Sequence, residues 1–278
     1  MLELARELSN DTLTQIRELE DDVVAVDGGR LKLEWATLRS RPGDRVNDVL
    51  WWEEGRLVGF LGLYAFSQPT VELAGMVHPA HRRRGIGARL LNEAIELCRS
   101  RGFHKVLLVV PRNSPGGRFL AERQHGVLDH SEHSLDLDGP PLDGPSDPSL
   151  TLRPATYDDA VAEARILAEA FGDAAGPIPT SNPDESRMVA EREGTVIATL
   201  RVSQSPDVWG IYGLAVEAAH RGQGVGRELL QRVCRQAHDA GVTTLHLEVE
   251  VNNDRALGLY TSLGFTRTAT EDYFEIPQ

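Results

Sequence analysis

Two stretches near the end of the chain carry side chains that can move protons. Leu245, Leu247, Val249 and Val251 alternate with His246, Glu248 and Glu250. That is the period of a strand with one apolar and one polar face. Glu248 sits on the polar face, where a carboxylate can accept a proton. A turn at Asn252-Asn253-Asp254 follows, then a short helical stretch from Arg255 to Leu263 that carries Tyr260 and closes at Gly264. A tyrosine with a pKa near roughly 10 stays protonated at neutral pH and can return a proton. A base and an acid on adjacent elements suit the transfer of a group to an amine. Plainer roles stand beside these: Glu248 as a solvated strand residue and Tyr260 as a half-buried packing residue.

The chemistry needs something to hold a second reactant, and the stretch from Leu214 to Leu230 offers it. It reads as the end of an apolar strand, a turn with Gly222, Gly224 and Gly226, and a helix. Glycines let the backbone approach a ligand closely. A helix that starts among them points its unpaired N–H groups into the turn, which favours an anion, most often a phosphate. Arg221 and Arg227 add positive charge. The same design stands upstream in Val77 to Leu91, with Arg82, Arg83, Arg84, Gly85, Ile86 and Gly87 in its turn.

The duplication extends well beyond the turn. Gly55 and Gly194, Gly85 and Gly224, Gly87 and Gly226, and Gly102 and Gly241 are each 139 residues apart, whereas Asn113 and Asn253 are 140 apart. In each copy two strands flank a tight turn, at Glu54-Gly55 and Glu193-Gly194. A further strand runs into the glycine turn, from Val71 to His78 and from Trp209 to Val216. The helices that follow show matching apolar stripes, Ile86, Leu90, Leu91, Ala94, Ile95 and Cys98 in one, Val225, Leu229, Leu230, Val233, Cys234 and Ala237 in the other. Helices are expected over Thr12 to Glu20 and Asp159 to Phe171, and a breaker-rich loop over Gly176 to Pro183. Four prolines between Gly139 and Ser149 mark a stiff linker. The expected organisation is a domain over 1–138, a linker over 139–149 and a domain over 150–278. Subtracting 140 maps Glu248 onto Leu108 and Tyr260 onto Leu120, so the first copy reads as a structural partner. Its alternative is a second active site with His78, His104 or Glu72 as base.

The bulk properties narrow the class. A net charge of −13 argues against a nucleic-acid binder, which needs a basic face. The start of the sequence has no basic, apolar leader, and no apolar run is long enough to span a bilayer, so a cytoplasmic protein without a membrane partner is expected. Cys98 and Cys234 lie in apolar helical stripes and read as buried free thiols. His125, His130 and His133 are close in sequence, but their spacing on an alternating strand does not converge as ligands must, and no metal is expected.

The succession strand, Arg221-Gly-Gln-Gly-Val-Gly226, helix, strand, Asn253-x-x-Ala-x-x-x-Tyr260-x-x-x-Gly-Phe265 resembles the GNAT superfamily of acyl-CoA-dependent N-acyltransferases. The resemblance spans nearly all of both halves, and the tandem layout is similar to that of mycothiol synthase and other double-GNAT proteins. It implies an α+β fold: two GNAT domains, each a mixed, mostly antiparallel sheet flanked by helices, with two strands splaying to admit pantetheine. It implies acetyl-CoA as co-substrate and a small-molecule or peptide amine as acceptor. Backbone groups of Leu214, Ala215 and Val216 would take the pantetheine arm. Arg221, Gly222, Gln223, Gly224, Val225, Gly226 and Arg227 would hold the diphosphate, and Asn253 would face the cofactor. Met76, Val77 and the Arg82 to Gly87 turn would form a second candidate cofactor site. Leu247-Glu-Val-Glu-Val-Asn-Asn is also similar to the ribosomal-protein alanine N-acetyltransferases, where a glutamate at the place of Glu248 is the base and a tyrosine at the place of Tyr260 the acid. The runner-up is a non-catalytic acyl-CoA-binding protein, and a mycothiol synthase is a third reading. A monomer or homodimer is expected.

Overall fold

A computed structural model of the chain describes residues 1–277 except 68, 145, 173–184 and 206–207. The predicted loop from Gly176 to Pro183 lies outside the described residues. Contacts along the chain define two compact units, one of residues 1–131 with 269–278 and one of residues 132–268.

The first unit begins with β1 (Leu2–Ala5) and α1 (Asn10–Asp27). The Ser9 side chain caps α1 by accepting from the Thr12 N–H. Ile16, Leu19 and Val23 form the buried stripe, which carries the helix past its predicted end at Glu20 to Gly28. After α2 (Trp35–Arg39), β2 (Asp48–Glu53) and β3 (Arg56–Ser67) form a hairpin. Glu54 and Gly55 turn it with φ of 51° and 79°, the left-handed pair that suits a two-residue hairpin turn. Then come β4 (Thr70–Val77), α3 (Ile86–Ser100), β5 (Lys105–Pro111) and α4 (Pro115–Arg123). All six residues of the predicted stripe on α3 are buried.

β6 (Val127–Asp138) leads away, and the second repeat follows with β7 (Leu150–Pro154) and α5 (Ala160–Phe171). It continues through β8 (Glu185–Arg192), β9 (Thr195–Gln204), β10 (Val208–Val216), α6 (Val225–Asp239), β11 (Thr244–Glu250), α7 (Asp254–Thr261) and β12 (Thr266–Glu275). The stripe on α6 is buried as predicted. Both thiols are buried inside the helices, and burial pushes Cys98 up to about 11 and Cys234 up to about 12.

Each unit holds a mixed, mostly antiparallel sheet. The parallel pairs are β4 with β5 and β10 with β11; the other registered pairs are antiparallel. The last strand of each repeat completes the other unit. β12 pairs with β5, placing Tyr273 opposite Val109, whereas β6 pairs with β11, placing Asp136 opposite His246. The unit limits therefore differ from a cut at 138 and 150, because local apolar alternation carries no label for the partner strand. The proline-rich segment belongs to the second unit. Gln231 on α6 donates to the Leu142 carbonyl at 3.1 Å, and Arg232 donates to the Leu150 and Asp147 carbonyls at 2.8 and 3.0 Å.

Candidate active site

The sheet of the second unit opens where its parallel strands part. β10 and β11 pair from Val208–Thr244 to Ile211–Leu247. Beyond that point β10 runs on to Val216 and β11 to Glu250. Glu248 is the first residue of β11 past the paired stretch. At the same level the β10–β9 register shifts between Tyr212 and Ala215, with Gly213 at a φ of 59°. Such a bulge takes backbone groups out of the ladder and turns them elsewhere. These are groups of Gly213 and Leu214, at the head of the stretch predicted to take the pantetheine arm. β4 in the first unit keeps an unbroken register from Glu72 to Val77.

Beyond β10 the chain makes a single turn of 3-10 helix, Ala218–His220, and enters the glycine turn. Gly222 and Gly224 hold φ of 77° and 83°, conformations that cost other residues free energy. No side chain caps α6. Its first internal hydrogen bond runs from the Glu228 N–H to the Gly224 carbonyl, 3.0 Å. The N–H groups of Val225, Gly226 and Arg227 therefore have no acceptor within the helix. A Cβ placed on Gly224 would meet nothing within 4 Å, and one on Gly222 only the Arg255 guanidinium at 3.8 Å. The turn is thus an open cradle of amides with a cation from α7 beside it. Sequence reading missed Arg255, because only the fold brings α7 over the turn.

The motif arginines are engaged with groups of the protein itself. Arg221 donates to the Val216 carbonyl at 2.7 Å, and its guanidinium lies 3.8 Å from Glu169. Arg82 repeats this in the first unit, donating to the Val77 carbonyl at 3.0 Å and to both Asp27 oxygens at 2.8 and 2.7 Å. Both brace the turn against the end of its strand. Arg227 reaches Ser262 at the end of α7. Gln223 accepts from Arg192 and donates to the Ala219 carbonyl. Asn253 caps α7, its side chain accepting from the Ala256 N–H at 3.1 Å. The cradle in the first unit is equally uncapped: Gly85 holds a φ of 82°, and the Arg89 N–H makes the first internal bond of α3.

Glu248 is half-buried and lies 3.7 Å from His246 Nε2. Tyr260 is buried in the core of the second unit, its ring 6.1 Å from that of Phe265. Among the described residues nothing hydrogen-bonds to its hydroxyl. Burial pushes the phenol up to about 12, so it stays protonated through the physiological range.

The first copy carries neither group, though the matching positions differ from the sequence-based ones. Ser114 caps α4 by accepting from the Gly117 N–H, as Asn253 does from Ala256. The Gly126 N–H donates to the Ala121 carbonyl as the Phe265 N–H donates to that of Tyr260. The parallel ladders end at Leu73–Leu108 and Ile211–Leu247. From β5 and β11 through α4 and α7 the offset is therefore 139. Glu248 corresponds to Val109 rather than Leu108, Tyr260 to Ala121 rather than Leu120, and Asn253 to Ser114 rather than Asn113. Asn113 misled the count because its amide has another task, donating to the Asp27 carbonyl. Of the other bases considered for the first copy, His78 faces Asp22 at 3.3 Å and Glu72 faces Lys32 at 3.7 Å. Among the described residues no cluster of three or more His, Cys, Asp or Glu converges.

Two parts of this duplicated framework, residues 10–126 and 152–265, match the acetyltransferase (GNAT) family model. The chain belongs to the GNAT acetyltransferase family. This tandem GNAT chain is 31% identical to the mycothiol acetyltransferase of Amycolatopsis mediterranei over 97% of both chains. It is 29% identical to that of Thermomonospora curvata, over 97% of this chain and 95% of the relative. Among solved structures, a GCN5-related N-acetyltransferase from Sphaerobacter thermophilus superposes with a TM-score of 0.80 at 20% identity, covering 99% of this chain and 96% of the other. A tandem GNAT protein from the clavulanic acid biosynthesis pathway gives a TM-score of 0.72 at 19% identity, covering 100% and 99%. The chain is thus an acetyl-CoA-dependent N-acetyltransferase of tandem GNAT build, homologous to mycothiol acetyltransferases over nearly its whole length. No helix among the described residues is long and apolar enough to cross a membrane.

Proposed function

We propose that the second unit transfers the acetyl group of acetyl-CoA to a primary amine, and that the first unit is its non-catalytic partner. The difference between the two copies carries this reading. Both have parting strands and an uncapped cradle. Only the second adds the bulge in β10, a carboxylate just past the paired strands and a tyrosine on α7. Amides from Gly222 to Arg227 bind the diphosphate, and Arg255 adds charge beside them. Backbone groups of Leu214, Ala215 and Val216 receive the pantetheine arm. The amine attacks the thioester carbon directly. Glu248 takes the amine proton through a water, and Tyr260 gives a proton to the departing sulfur. The carbon–nitrogen bond forms as the carbon–sulfur bond breaks, with no covalent enzyme intermediate. The full-length similarity to mycothiol acetyltransferases supports an amine precursor of mycothiol as the acceptor. The first unit, through Met76, Val77 and the turn from Arg82 to Gly87, is a second candidate site for acetyl-CoA.

Thiol release from acetyl-CoA across a panel of primary amines, cysteinyl amines and amino sugars included, tests the activity. Glu248→Gln and Tyr260→Phe should each lower turnover while calorimetry shows unchanged acetyl-CoA affinity. Tight binding of acetyl-CoA with no transfer to any amine would instead make the chain a binding protein.

A further inference from the structure

The polar face of β11 holds a second titratable group beside Glu248. His246 is buried, with 6% of its surface exposed. Its Nδ1 lies 2.6 Å from Asp136 Oδ1, on the strand paired directly opposite. Its Nε2 lies 3.7 Å from Glu248 Oε1, two residues along its own strand. An ionised carboxylate only accepts, so Nδ1–H donates to Asp136. Nε2 then faces Glu248 as a cationic partner only when the ring carries both protons. Two carboxylates thus flank the ring, one at each nitrogen. Among the titratable groups facing it are Asp136 from β6, Glu248 from β11 and Tyr212 from β10, whose ring lies over Gly210, the residue paired with His246.

The duplication gives an internal comparison. At the 139-residue offset, His246 corresponds to Leu107 and Glu248 to Val109, whereas the place of Asp136 is taken by Glu275, paired with Leu107. The first copy keeps a carboxylate on the exchanged strand but has lost the imidazole together with the glutamate. A histidine serving only to pack the sheet would have no reason to vanish with the base.

We infer that His246 is the positioning residue for Glu248, with Asp136 holding the ring in place. This rests on Glu248 being the base. As an imidazolium it fixes the direction of the Glu248 carboxylate and keeps it ionised. It neither gives nor takes a proton during the reaction: the amine proton goes to Glu248 through water, and Nδ1–H stays with Asp136. A strand from the first repeat thereby supplies an essential support of the catalytic base in the second.

The test reads the histidine and the kinetics separately. NMR titration of the His246 ring proton, assigned by its loss in His246→Gln, should show the midpoint falling in Glu248→Gln and in Asp136→Asn. It needs no acceptor, so it tests the coupling of His246 to Glu248 separately from the proposed activity. An unmoved midpoint in Glu248→Gln would overturn the inference. With an accepted amine, His246→Asn should lower kcat by roughly 10²-fold, the scale of a misplaced catalytic group, with KM for acetyl-CoA unchanged. The acid limb of its kcat/KM profile should move to higher pH as Glu248 loses its cation. His246→Gln, whose amide reaches where Nε2 was, should recover part of the loss. Equal kcat and an unmoved acid limb in both variants would reduce His246 to a packing residue.

Discussion

Replacing Tyr260 by Phe removes one oxygen from a buried ring, and its consequences can be worked out from the surroundings. The hydroxyl has no hydrogen-bond partner among the described residues, so its loss leaves no partner stranded and the neutral-pH stability should barely change. Burial holds the phenol at about 12 against about 10 in an unfolded chain. The folded state thus keeps a proton that the unfolded state releases. The stability this contributes is complete below pH 10 and is lost as the pH rises through 12. Two decades of shift correspond to about 3 kcal/mol. The unfolding free energies of wild type and Tyr260→Phe should therefore run parallel from pH 7 to 9.5, with wild type falling faster above it. In turnover, a missing general acid should cost roughly 10²- to 10⁴-fold, or about 3–5 kcal/mol in the barrier. Because the phenol stays protonated, kcat should show no alkaline limb from this group below about pH 11. Urea melts across pH and steady-state thiol release on the same two proteins measure both effects. Near-normal turnover in a folded Tyr260→Phe would show that another group or solvent protonates the sulfur. Parallel stabilities up to pH 11.5 would refute the account of its burial.

Gly224→Asp places a side chain where φ is 83° and a negative charge beside the cradle; acetyl-CoA should bind the second unit at least 10-fold more weakly by calorimetry on the full chain. Arg187 meets buried Glu163 at 2.7 Å, and Thr199 donates to the same carboxylate, so Arg187→Met should lower the unfolding free energy by about 3 kcal/mol in urea melts, with Arg187→Met/Glu163→Leu recovering part of it. Hydrogen bonds from Arg153 and the Thr156 backbone and side chain hold the Asp159 carboxyl well below its usual range. Its stabilisation is present above about pH 4 and fades as the pH falls, so Asp159→Asn should be less stable at pH 7 and flatten the acid limb of the stability curve. Neither Cys98 nor Cys234 should react with a thiol reagent at pH 8 until urea unfolds the chain, because burial raises both thiols to about 11 and 12.

Much of this was readable from residue order because it is local. Apolar stripes on α3 and α6, the left-handed turns at Glu54-Gly55 and Glu193-Gly194 and the uncapped glycine starts depend on neighbours a few residues away. What required the fold was partnership. Asp136 and His246 stand 110 residues apart, and alternation in β11 shows that His246 shares a face with Glu248 without showing what closes over it. The one-residue error in matching the copies arose because asparagine can cap a helix, as at Asn253, or tie a loop, as at Asn113. Residue type alone does not distinguish the two. The role of Arg221 was hidden for a similar reason, since its acceptor is a backbone carbonyl that sequence does not display.

The exchange of β6 and β12 has a consequence for how the chain comes off the ribosome. When residue 131 has emerged, the edge of β5 still lacks the strand that residues 271–275 will supply, and the remaining half of the polypeptide has yet to be made. β6, by contrast, waits with Glu132–Asp138 ready for a β11 that does not yet exist. The nascent first half therefore carries an open strand edge through most of synthesis, a state prone to pairing with neighbouring chains. A message truncated before residue 271 leaves the β5 edge without its partner strand, so such premature termination should yield aggregates rather than a folded half-enzyme.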